Sequence, residues 1–155
     1  LLERACGIPF VRPEPLWLEH RKRPRGESWE RDGLSLVLQH VRNALNDADR
    51  VVTETTGAAD WFATFVDELR ALARVQTIRL VAPPKVCLQR VQSRDSRLHI
   101  PLSDEEVEAV NQRALARVFD ADGVLETLVP LDEERVLASL EEVLGPLRSK
   151  TASSP

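Results

Sequence analysis

The sequence predicts an α/β fold, a parallel sheet covered by helices on both faces in three layers, and two observations carry that prediction. Apolar residues recur at helical spacing in several stretches, and short runs rich in β-branched residues fall between those stretches. Strands that alternate with helices pair in parallel and are buried on both sides. No internal repeat or linker interrupts the alternation. The 155 residues, 43% of them hydrophobic, therefore suffice for one domain with a sizeable core. That domain is expected over residues 1–148, with a disordered tail at 149–155.

The elements follow in order. Leu1, Leu2, Ala5 and Cys6 make a helical stripe that Gly7 closes as a C-cap glycine. The stripe opens without a cap signal and the chain contains no Met, so an upstream segment is expected before Leu1. Ile8 to Val11 reads as a short strand, and Pro13 and Pro15 as an extended loop. Leu34, Leu38, Val41 and Leu45 mark a helix from about Glu27 to Asn46. Arg50 to Gly57 then reads as a buried strand ending in a glycine loop. A further helix carries Trp61, Phe62, Phe65, Val66, Leu69 and Leu72. Thr77 to Ala82 is the next strand, and Pro84 opens the helix of Val86, Cys87 and Val91. Ser103 and Glu106 form a capping box ahead of Val107, Val110, Ala114 and Val118. Val124 to Leu128 supplies the last strand, and Val136, Leu137, Leu140 and Leu144 the last helix, Asp132 to Leu147.

A net charge of -4 argues against a nucleic-acid scaffold, because phosphate backbones select basic surfaces. The local exception is His20-Arg21-Lys22-Arg23-Pro24-Arg25. Cys6 and Cys87 sit in apolar helical patterns; they could pair, but they read as buried free thiols of a reducing cytoplasm. No apolar run approaches a membrane span. A cytoplasmic protein with a small-molecule partner, and neither membrane nor nucleic acid, is the expectation.

Ligands of parallel sheets bind beyond the carboxyl ends of the strands, which directs attention to Thr53 to Gly57, Ala82 to Lys85 and the loop at Arg12. Glu54 ends the buried run. A carboxylate there can hold the water shell of Mg²⁺ or accept a proton from an attacking hydroxyl. A solvated loop glutamate explains the position equally well. Thr53, Thr55 and Thr56 add hydroxyls, and Gly57 permits close backbone approach. Arg90, Arg94 and Arg97 would share one face of a continuing helix, suited to phosphate oxygens. Pairing with Asp95 and Asp104 is the competing explanation. His20, His40 and His99 have no metal-ligand spacing. Trp17 and Trp29 flank the basic stretch, where they either line a pocket or cover a core edge.

In sequence order these segments resemble the P-loop kinases of small molecules, the group of AAA-type domains that includes shikimate, gluconate and nucleotide kinases. LLERACGIPF (Leu1 to Phe10) looks like the second half of the helix after a phosphate-binding loop, plus the next strand. DRVVTETTG (Asp49 to Gly57) is similar to the Walker B strand. IRLVAPPKVCLQRVQSRD (Ile78 to Asp95) is similar to the strand, proline turn and arginine-bearing helix before the lid. The resemblance implies ATP and Mg²⁺ as cofactors and phosphoryl transfer to a hydroxylated, anionic acceptor. It implies catalytic roles for Glu54, Arg90 and Arg94, with Glu54 reaching the metal through water. It also implies nucleotide contacts at Thr56, Gly57 and Arg97, and acceptor contacts at Arg12 and Trp17. No G-x-x-x-x-G-K-[ST] occurs in the chain, so the N-terminal strand and phosphate loop of that fold are absent from these residues. Glu54 also stands where Asp is commoner. The runner-up is a kinase-like domain that binds a ligand or partner without catalysis; an unrelated flavodoxin-type domain is the third reading.

Overall fold

The computed structural model describes residues 1–94, 100–127 and 132–147. In chain order the elements are α1 (Leu2–Cys6), β1 (Phe10–Val11), α2 (Pro13–His20), α3 (Trp29–Asp47), β2 (Val52–Thr53), α4 (Phe62–Leu72), β3 (Ile78–Val81), α5 (Pro84–Gln92), α6 (Asp104–Ala116), β4 (Gly123–Glu126) and α7 (Glu133–Leu144).

The expected three-layer parallel sheet of P-loop type is not what the chain forms. The described residues are 56% helical and form two separate two-stranded sheets, β1–β2 and β3–β4. Both pairs are parallel, as the alternation requires, with Phe10 opposite Val52 and Ile78 opposite Gly123. The shortfall lies in strand length. Pro9, which has no N–H to give a ladder, precedes β1, and only its carbonyl joins the pairing, accepting from Val52 N–H at 2.9 Å. With two residues each, β1 and β2 make a short ribbon, and no β2–β3 pairing joins the sheets among the described residues.

The larger core cluster consists of Leu34, Val37, Leu38, Val41 and Phe65, with Val11, Leu16, Trp17, Leu45, Leu69 and Leu72 packed around it. Its residues on α3 and α4 follow from the 3.6-residue period. Each such side chain contributes roughly 1.5–3 kcal/mol on burial. A second cluster joins Ile8, Leu140 and Leu147 and receives both Val52 and Ile78. The amino ends of β2 and β3 thus converge on one apolar group although the strands do not pair.

Local signals decide most termini. Gly7 caps α1 in the left-handed region at φ 67. Ser103 and Glu106 complete both halves of the capping box of α6, and Asp132 caps α7. Pro84 opens α5. The extended loop expected at Pro13 and Pro15 is instead the first turn of α2. Prolines fit there because the first N–H groups of a helix have no intrahelical acceptor. α6 ends at Ala116, which leaves Val118 95% exposed rather than in an apolar stripe. Cys6 and Cys87 are free thiols, as expected, but half-buried rather than buried. The tail lies outside the described residues.

The second sheet is clamped at both ends by polar groups. At its amino end the Asp122 carboxylate accepts from Thr77 N–H (2.6 Å) and Thr77 hydroxyl (3.0 Å). These bonds hold its pKa below the ordinary carboxylate range, the backbone N–H contributing most. At its carboxyl end Thr127 N–H donates to the Val81 carbonyl at 2.8 Å.

Candidate functional site

Glu54 stands immediately beyond the carboxyl end of β2 and is exposed, as the sequence leads one to expect. The turn behind it is built. Gly57 N–H donates to the Thr55 hydroxyl and Ala58 N–H to the Thr56 hydroxyl, each at 3.3 Å. Gly57 takes φ +70, a conformation that strains any residue with a Cβ. It is buried together with Ala58, while Glu54, Thr55 and Thr56 face outward. Thr53 is occupied otherwise: its hydroxyl donates to the Val11 carbonyl at 3.1 Å and so joins the two strands of the first sheet.

The arginines do not gather around this turn. Arg90 donates through Nη1 to the Thr127 hydroxyl (3.1 Å) and through Nη2 to the Thr127 carbonyl (2.9 Å), so it ties α5 to the end of β4. Arg94 lies past the end of α5, exposed, which removes the helical face it was to share with Arg90. Arg97 and His99 lie outside the described residues. Arg12 precedes α2 and forms an exposed ion pair with Glu3 at 3.2 Å. Such pairs contribute little to stability.

Trp17 belongs to a cage rather than to an open pocket. It meets His20 edge-on at 5.7 Å and Trp29 at 5.3 Å, and its ring lies where a Cβ on Gly33 would be, at 2.3 Å. His20 is buried there, 2.8 Å from the Trp29 carbonyl, which fixes Nε2 as the protonated nitrogen. Arg25 from the basic stretch lies over Trp29 at 5.1 Å. His40 is exposed on α3.

Contacts that sequence spacing does not signal surround the Glu54 turn. Arg117 Nη2 donates to the Ala59 carbonyl at 2.9 Å, and its guanidinium lies 5.6 Å from the Phe62 ring. Phe62 in turn meets Phe119 edge-on at 5.5 Å. From the other side Glu30 accepts from Asp60 N–H at 3.1 Å, and Arg31 lies over Trp61 at 5.5 Å. These partners are about 30 or 60 residues apart in the chain, so no local pattern could announce them.

The donor set bears on the implied cofactors in two ways. Among the described residues no group of three or more His, Cys, Asp or Glu side chains could hold a metal ion. A single carboxylate such as Glu54 still suits Mg²⁺, which takes one or two carboxylates together with phosphate oxygens and water. Of the arginines read as phosphate ligands, Arg90 is engaged by Thr127 and Arg94 is exposed, while Arg12, read as an acceptor contact, pairs with Glu3. An open groove of about 340 Å³ lies along α7, lined by Cys6, Glu134, Leu137, Ala138 and Glu141. It holds none of the residues named above for phosphate chemistry. No helix among the described residues is long and apolar enough to cross a membrane. No protein-family model, curated protein or solved structure matches this chain.

Proposed function

We propose that this protein is an ATP-dependent phosphotransferase acting on a small hydroxylated acceptor, with Glu54 as the group that orients or deprotonates the acceptor hydroxyl. The observation that carries the reading is the Glu54 turn. An exposed carboxylate with no ion-pair partner among the described residues stands at the carboxyl end of a parallel strand. The backbone behind it is held by two threonine hydroxyls and a left-handed glycine. A carboxylate so placed can accept a proton in the transition state, worth typically 10²–10⁴-fold in rate. ATP and Mg²⁺ would supply the phosphoryl group and its counter-charge.

A second reading, ligand or partner binding without catalysis, is favoured by one observation. Arg90, the first of the arginines read as phosphate ligands, is satisfied internally by Thr127. Incubation of the whole chain with labelled ATP, Mg²⁺ and a panel of hydroxylated acceptors separates the two. Transfer by the wild type that falls about 100-fold in Glu54→Gln supports the first. Unchanged turnover in that variant sinks the role of Glu54. A melting temperature raised by ATP with Mg²⁺ but no transfer selects the second reading. Neither transfer nor a thermal shift overturns both.

A further inference from the structure

Four side chains form a continuous stack across the molecule, from Arg117 to Phe62 to Phe119 to Arg79. The last step places the Arg79 guanidinium 5.6 Å from the Phe119 ring. Arg79 also donates from β3 to the carbonyls of Ala114 and Leu115, at 3.2 and 3.4 Å. Those carbonyls belong to the last turn of α6, where backbone acceptors lack intrahelical donors and the helix dipole favours a cation. Arg79 therefore fixes the carboxyl end of α6, and Arg117 is the first residue beyond that end.

Arg117 reaches from there to the turn behind Glu54. It donates to the Ala59 carbonyl and lies over Phe62, whose ring a Cβ placed on Gly57 would meet at 3.9 Å. No carboxylate pairs with Arg117 among the described residues, so the carbonyl and the ring are its partners. A half-buried guanidinium is thus held by a loop carbonyl 58 residues away. Ala58 and Phe62, on either side of Ala59 in the chain, are both buried. A planar guanidinium can stack and donate at once, which an ammonium cannot reproduce.

We infer that Arg117 is the positioning residue of the Glu54 turn, carrying the placement of β3 and α6 to the backbone that presents the Glu54 carboxylate. Its consequence for catalysis rests on the phosphotransferase reading; its consequence for the turn does not. The test uses Arg117→Ala and Arg117→Lys in the whole chain, with native-state amide exchange read at Gly57, at Ala58 and, as a remote reference, at Val136 in α7. Arg117→Ala should speed exchange at Gly57 and Ala58 about tenfold, the worth of one hydrogen bond from a charged donor. Val136 should be unchanged, and Arg117→Lys should recover part of the protection. In phosphoryl transfer Arg117→Ala should lower kcat about tenfold at constant KM for ATP, again partly restored by Lys. Unchanged exchange at Gly57 and Ala58 overturns the inference. So does equal acceleration at all three amides, which marks Arg117 as a general stabiliser, and so does a raised KM for ATP, which marks it as a nucleotide ligand. If Arg117→Ala does not fold, Arg117→Lys is judged by the same amides. A wild type without transfer ends the phosphotransferase reading while the exchange comparison still decides this one.

Discussion

The two parallel ribbons of this protein are held together by different forces. The first, β1 with β2, pairs only two residues on each strand. Behind it stand α3 and α4, whose Leu34, Val37, Leu38, Val41 and Phe65 form the larger apolar cluster. The second, β3 with β4, pairs four residues, yet Leu80 and Val124 are each 65% exposed and α5 buries no residue fully. Its ends are closed by hydrogen bonds instead, Asp122 to Thr77 at one end and Arg90 to Thr127 at the other. A short ladder survives where apolar packing is dense, and a longer one with thin cover needs polar clamps. The arginine–phenylalanine stack crosses between the regions where no strand pairing does.

The largest test of this contrast is Phe65→Ala, which opens a cavity at a side chain only 2% exposed. It should cost about 3–5 kcal/mol in urea unfolding. A loss under about 1 kcal/mol would mean that the first region does not depend on apolar packing.

A pair of glycines sharpens the comparison. A Cβ at Gly33 would meet the Trp17 ring at 2.3 Å, and one at Gly123 would meet a methyl of Val143 at 2.7 Å. Trp17 packs in a three-ring cluster with His20 and Trp29, whose contacts resist its displacement. Gly33→Ala should destabilise by about 1–3 kcal/mol from overpacking, less the gain of about 1 kcal/mol from helix propensity. Gly123→Ala should cost less, because a single valine on α7 can shift.

In the second region Thr127→Val removes the hydroxyl that receives Arg90 and itself donates to the Val81 carbonyl at 3.2 Å. It should lower stability by about 1–2 kcal/mol, since a half-buried donor loses its partner. Equal stability would show that the clamp is ornamental.

The smallest effect is pH-dependent. Thr77 holds the Asp122 carboxyl below its ordinary pKa, so its contribution is present at neutral pH and is lost as the pH falls through the lowered folded value. In Asp122→Asn the decline of stability below about pH 4 should be shallower than in the wild type. Asp122 is largely exposed, so the difference is expected to be slight.

Much of the fold was legible where the controlling physics is local. The stripe Leu34, Leu38, Val41 is the buried face of α3, and Ser103 with Glu106 caps α6. The position of Glu54 beyond its strand followed from β-branched residues running into glycine. The candidate site was less legible. Arg90 and Arg94 were read as one face, but α5 stops at Gln92 and Arg90 turns to Thr127. Trp17 was read as an acceptor contact, yet Gly33, 16 positions further along the sequence, leaves the space into which its ring packs. Arg117 passed unnoticed because its partner Ala59 lies 58 residues away.

The sequence by itself therefore determined most of the helices, the capped start of α6 and the glycine end of α1 among them, and that the strands pair in parallel, because periodicity, caps and glycine act within a few residues; it did not determine α2 or where α5 and α6 stop. Tertiary structure alone decided that the strands form two ribbons rather than one sheet, and which carbonyl, ring or carboxylate each arginine meets. Those outcomes depend on contacts between distant segments, whose loop-closure entropy and desolvation no local pattern encodes.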